Sequence, residues 1–148
     1  MNEIEDLKSN LKDLIIKWQE TQRRVYFDVQ KEDVPRVVGY IFNDLGARFI
    51  IVTGMDTPRG IEMLYHFGLD HLGKVVSVRT FIDGDRPEIE SVTPIIKGAG
   101  WIEREIHDIL GVNFLHHPNL KRLITADDWP EDKYPLRLRP SSGKGPEG

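Results

Sequence analysis

The run Glu103-Arg104-Glu105-Ile106-His107-Asp108 places five ionisable side chains on about one and a half helical turns. In a helix, Glu103 and His107 are i,i+4 neighbours, as are Arg104 and Asp108. One chemistry this run could serve is metal-assisted hydrolysis, with His107, His116 and nearby carboxylates as ligands or bases. The spacing matches no zinc pattern of the H-E-x-x-H kind, and Pro118 biases His117 towards extended backbone. A stand-alone His/carboxylate metal enzyme is therefore the lesser alternative. The other chemistry is electrostatic. It is either a solvated helix face with intrahelical pairs worth about 0.3–0.5 kcal/mol each, or an interface network whose carboxylates are desolvated and satisfied by a partner's Arg, Lys or backbone. His66, on a strand opposite the apolar face, and His71, in a loop, mark no chemistry.

Further along, His117-Pro118-Asn119-Leu120 reads as a turn. An acidic run, Asp127-Asp128-Trp129-Pro130-Glu131-Asp132, precedes a basic and aromatic one, Lys133-Tyr134-Pro135-Leu136-Arg137-Leu138-Arg139. Trp, Tyr and Arg are the residue types enriched at interface hot spots. No G-x-G-x-x-G, G-x-x-x-x-G-K-[ST] or G-x-S-x-G motif occurs. The chain has no cysteine, which excludes disulfides, thiolate-held iron–sulfur clusters and Cys-type zinc sites in it. The net charge of −4 argues against a nucleic-acid partner. Few Gln and Asn beside many Glu, Lys and Arg fit a thermophilic source.

These 148 residues, 39% hydrophobic and 30% charged, are enough for one core with a charged surface. No apolar run approaches the roughly 20 residues of a membrane span, and no signal peptide opens the chain, so a cytoplasmic location is expected. Ile4, Leu7, Leu11, Leu14, Ile15 and Trp18 predict a first amphipathic helix. Arg23 to Val29 alternates as a half-buried strand. Val34, Val37, Val38, Ile41, Phe42 and Leu45 predict a second helix, with Pro35 in its first turn and Gly46 as its stop. Ala47–Thr53, Ile61–Phe67 and Val75–Ile82 predict an antiparallel meander, with Met55–Gly60 as a loop. A third helix is expected over 101–110, with Gly111 in the left-handed C′ position and Val112 as its apolar follower. The fold class is α+β: a largely antiparallel sheet with two helices from the N-terminal half packed on it. The α+β domain spans 1–112. Residues 113–140 hold four prolines and many apolar residues, which predicts an extended partner-binding arm; 141–148 reads as a disordered tail.

Glu103-Arg104-Glu105, Asp108-Ile109-Leu110-Gly111, Phe114, His117-Pro118, Leu120 and Arg122-Leu123 together resemble the signature of the 30 kDa subunit family of NADH:quinone oxidoreductase (complex I). That family extends to membrane-bound [NiFe] hydrogenases and ferredoxin-linked complexes. Leu64-Tyr65-His66-Phe67, Ser91-Val92-Thr93, Trp101, Asp127-Asp128-Trp129 and Tyr134-Pro135-Leu136-Arg137 extend the likeness, which covers about Ile61 to Arg137. Two positions depart from it. His116 stands where many members have Gly, so the local turn is expected to differ, and Leu138-Arg139-Pro140 replaces the usual continuation.

The resemblance implies a cofactor-free structural subunit in the peripheral arm of a membrane-bound, ion-pumping electron-transfer complex. It would lie on the cytoplasmic side, with membrane contact only through other subunits. The implied partners are the large catalytic subunit, hydrogenase large-subunit-like, and neighbouring iron–sulfur subunits. Iron–sulfur clusters and, in hydrogenases, nickel–iron would sit in those partners. The short chain favours a hydrogenase-type or ferredoxin-linked complex over a quinone-reducing one; a free-standing binding module is a third reading. The implied interface residues are Glu103, Arg104, Glu105, Asp108, Gly111, Phe114, His117, Pro118, Leu120, Arg122, Trp129, Tyr134, Pro135, Leu136 and Arg137. The purified protein is therefore expected to be colourless and redox-inactive. Absorption spectroscopy checks this: a stoichiometric visible band surviving purification would overturn it.

Overall fold

The computed structural model describes residues 2–120. Helix α1 (Glu3–Asn10) is capped by Asn2, whose side chain accepts from the Glu5 amide at 2.8 Å. Ile4, Leu7 and Leu11 are buried as the helical period requires. The helix nonetheless stops before Trp18. That residue lies in strand β1 (Lys17–Glu20) and stacks on Phe27, with ring centroids 5.4 Å apart. Pairing of β1 with β2 (Arg24–Asp28) satisfies the backbone of both segments and wins over continued helix. Helix α2 (Val34–Gly39) runs into a π-helical turn, Tyr40–Asp44, and ends at Gly46, which is left-handed at φ +67°.

Strands β3 (Arg48–Thr57), β4 (Gly60–Leu69) and β5 (Lys74–Ile82) form the expected antiparallel meander. The sheet order is β1-β2-β5-β4-β3, with β2 parallel to β5 and every other pairing antiparallel. The loop expected at Met55–Gly60 shrinks to Pro58-Arg59, because pairing continues to Thr57 and Gly60. Gly60 has φ +123°, and a Cβ there would lie 2.4 Å from the Ile82 carbonyl oxygen, so glycine is required.

One face of the sheet, with Phe27, Met63, Tyr65, Phe67 and Val78 fully buried, shares a continuous core with the helices. The opposite face carries a half-buried polar cluster. Arg79 donates two 2.9 Å bonds to Asp28, lies 3.7 Å from Glu62, and stands over the rings of Tyr26 and Phe81.

Helix α3 (Ala99–Leu110) packs on β3. A Cβ at Gly54 would lie 2.9 Å from Leu110 Cδ1, so the missing side chain sets how closely the helix approaches. Gly111 is left-handed at φ +77°, its amide donates to the His107 carbonyl at 3.0 Å, and Val112 is buried.

Two short strands escape the sequence pattern. β6 (Glu88–Glu90) and β7 (Asn113–Leu115) pair in parallel, with Ile89 opposite Phe114. At three residues each, they are too short to display a period. They also change the status of Phe114, which is 2% exposed within the protein's own core rather than on a partner-facing arm. Phe114→Ala should therefore lower the stability of the isolated protein by about 3–5 kcal/mol, measured by urea unfolding; a loss below about 0.5 kcal/mol would mark it as a surface residue.

Candidate docking interface

Helix α3 presents its charged run in two directions. Glu103, Ile106 and Leu110, at helical spacing, are buried together, and Asp108 is also fully buried. Glu105 is exposed and Arg104 half-buried. Trp101 is 63% exposed, with the Arg104 guanidinium over its ring at 5.5 Å. Among the described residues, the buried Arg104 Nε has no hydrogen-bond acceptor.

Glu103 accepts from within the same molecule. Ser91 Oγ donates to its Oε1 at 2.5 Å and Thr93 Oγ1 at 2.7 Å, while the Val92 amide donates to Oε2 at 2.9 Å. Ser91 Oγ in turn accepts from the Thr93 amide at 3.0 Å. A buried carboxylate is costly unless its oxygens are hydrogen-bonded, and the Ser-x-Thr turn supplies that compensation. Glu103 therefore does not coat a solvated face, and its oxygens accept from donors of its own chain. The position of Ser91 and Thr93, upstream of the helix, could have pointed to them only as hydroxyl donors flanking an amide. Burial pushes the nearby Tyr65 phenol above its ordinary range, and the Glu103 charge adds to the shift.

The three histidines have separate partners. His107 Nδ1 lies 2.9 Å from the Val112 carbonyl, at the end of α3. His116 Nδ1 meets Glu90 Oε2 at 2.6 Å on the surface. The His117 side chain, 2% exposed, lies between the Gly100 carbonyl, 3.0 Å from Nε2, and the Asn119 amide, 3.0 Å from Nδ1. Its Nε2 is also 3.8 Å from Glu103 Oε1. Among the described residues, no group of three or more His, Asp or Glu side chains converges as a metal site would require. His66 Nδ1 is 2.8 Å from Ser77 Oγ, and burial, with a lesser push from Arg24, pulls its imidazole below the ordinary value.

Of the interface residues inferred from sequence, Glu103 and His117 come together in the interior. Gly111 caps the helix, Pro118 is exposed, and Leu120 is half-buried against the core. Arg122, Trp129, Tyr134, Pro135, Leu136 and Arg137, with most of the predicted arm and the whole tail, lie outside the described residues.

The family model described as respiratory-chain NADH dehydrogenase, 30 Kd subunit, matches residues 27–143. The chain belongs to this family. It is 32% identical over 124 residues to formate hydrogenlyase subunit 5 of Escherichia coli (strain K12), covering 81% of this chain and 22% of that protein. It is 29% identical over 137 residues to a subunit of NADH-quinone oxidoreductase from Chelativorans sp. (strain BNC1), covering 88% of this chain and 67% of the relative. Its fold superposes with a TM-score of 0.73 on a chain of the membrane-bound sulfane sulfur reductase, an archaeal respiratory membrane complex. There the identity is 26%, and the match covers 90% of this chain and 82% of that one. The protein thus spans about a fifth of the length of the formate hydrogenlyase subunit.

The His116 backbone has φ +64°, the conformation glycine favours. The packing of β7 and the His117 contacts hold the turn, and His116 bears the strain. A glycine at this position relieves a left-handed penalty of about 1–2 kcal/mol but adds roughly 0.4–1 kcal/mol of unfolded-chain entropy. The exposed pair with Glu90 contributes little against this. His116→Gly should therefore stabilise the protein by about 0.5–1 kcal/mol in thermal or urea unfolding; a loss of similar size would show that the Glu90 contact outweighs the strain.

Proposed function

We propose that this protein is a cofactor-free structural subunit of a membrane-bound electron-transfer complex of hydrogenase or ferredoxin-linked type, seated on the large catalytic subunit at the cytoplasmic side. The observation that carries the reading is the family match over residues 27–143. The hydrogenase lean draws support from the likeness to formate hydrogenlyase subunit 5. The likeness to a subunit of NADH-quinone oxidoreductase favours the second reading, a quinone-reducing complex. In either case the redox centres, iron–sulfur clusters and nickel–iron in the hydrogenase case, belong to the partner subunits, and this protein supplies shape and contacts.

The outward face of α3 suits docking. Trp101 offers a large exposed ring, Arg104 a donor without an acceptor among the described residues, and Glu105 an exposed carboxylate. A partner carboxylate or carbonyl facing Arg104 would complete its hydrogen bonding in a site screened from water, where charge-assisted bonds are strong. In this reading the sequence from Pro118 to Arg137 extends the contact, Glu103 and Asp108 hold the helix, and Arg104 and Glu105 meet the partner.

That division is testable. Arg104→Ala and Glu105→Ala should leave the isolated protein folded and its stability within about 0.5 kcal/mol of the parent. Association with the large subunit should fall by two to three orders of magnitude, the equivalent of about 3–5 kcal/mol for a desolvated pair that loses one member. Glu103→Ala should instead destabilise the isolated protein on the order of 3 kcal/mol, since three buried donors lose their acceptor. Co-purification from native membranes and urea unfolding of the free protein read the two effects separately. Normal assembly and normal complex activity in both surface variants would remove α3 from the interface.

A further inference from the structure

We propose that His117 is a proton-sensitive latch on the turn that leads into the C-terminal segment. The geometry assigns the imidazole its tautomer. Nδ1 faces the Asn119 amide at 3.0 Å, and that N–H donates, so Nδ1 must be the unprotonated acceptor. Nε2 faces the Gly100 carbonyl at 3.0 Å and must therefore carry the hydrogen. Only the neutral ring satisfies both contacts. The ring thus ties the first turn of α3 to the backbone just beyond Pro118, while its side chain is 2% exposed.

A proton taken from solvent at Nδ1 converts that acceptor into a donor facing another donor, and the Asn119 contact is lost. The charged ring has a second partner within reach. Glu103 Oε1 lies 3.8 Å from Nε2, close enough for a small rotation to exchange the Gly100 carbonyl for an ion pair. The other groups around this carboxylate are the hydroxyls of Ser91 and Thr93 and the phenol of Tyr65, which burial keeps protonated. The neighbouring Glu90–His116 pair sits on the solvent side. Neutral His117 therefore holds the turn through Gly100 and Asn119, and charged His117 holds to Glu103 and releases it. With the docking reading above, acid would loosen the start of the C-terminal segment and weaken its hold on a partner. The latch itself is a property of the isolated protein, so it stands or falls separately from that reading.

The test is nitrogen-15 NMR of the full 148-residue protein between about pH 8 and about pH 5, where imidazoles ordinarily change charge. Imidazole and Asn119 amide signals are followed together, with core amides of β4 as a control for unfolding. The expected result is a hydrogen-bonded Asn119 amide at high pH that loses its bond as the His117 ring becomes charged, with the core unchanged. His117→Asn keeps an acceptor for the amide two residues on and cannot be charged, so its Asn119 signal should be independent of pH. An imidazole that charges without disturbing Asn119, one that stays neutral throughout, or a change that appears only with loss of the core signals would each overturn the latch.

Discussion

A carboxylate with no access to water stands at the centre of this fold. Glu103 lies on the inner side of α3 among Ile106 and Leu110, where an aliphatic residue would need no compensation. Its two oxygens instead gather the 91–93 turn through three hydrogen bonds. The turn is thereby fixed against the helix, and β6, which ends at Glu90, is fixed with it. β6 pairs with β7, and β7 leads directly to the His117 turn. Three consecutive segments, β6 with its turn, α3 and β7, are thus held in one relation by this side chain together with the β6–β7 pairing. Buried polar groups of this kind are poor sources of net stability, but they discriminate strongly between one packing and its neighbours.

The sheet and helices were legible because their periods are long enough to read. Val25, Phe27 and Val29 alternate, as do Ile61, Met63, Tyr65 and Phe67, and all are buried as expected. The error at the N-terminus has a specific cause: Trp18 falls on the helical period of Ile4, Leu7 and Leu11, but its burial comes from stacking on Phe27 across a strand pair. Periodicity reports that a residue is buried, not which element buries it. The parallel pairing of β2 with β5 was hidden for a related reason, since strand patterns carry no information about neighbours distant in sequence.

The charged run on α3 was recognisable as important, yet its division was not. The charges at positions 103, 104, 105, 107 and 108 spread over about 200° of the helix, so their spacing does not say which of them turns inward. Which one depends on where compensating donors lie, and the donors at Ser91 and Thr93 belong to a turn with no regular pattern. Likewise, the His116 backbone follows the demand of the turn rather than the preference of the side chain. Family resemblance located the charged run; only the three-dimensional contacts separated the residues that face inward from those that face solvent.

The sheet order also constrains how the polypeptide reaches this state. β2 pairs with β5 through Arg24 opposite Val75, with the second helix and two strands intervening, whereas β3, β4 and β5 are joined by short turns. Closing a long loop carries an entropic cost before any contact rewards it. The meander can therefore assemble from local contacts, while β1 and β2, although they leave the ribosome before it, have no meander edge to join until β5 is complete. During that interval Val25 and Phe27 are without their cover, so these two strands depend longest on protection from misassociation.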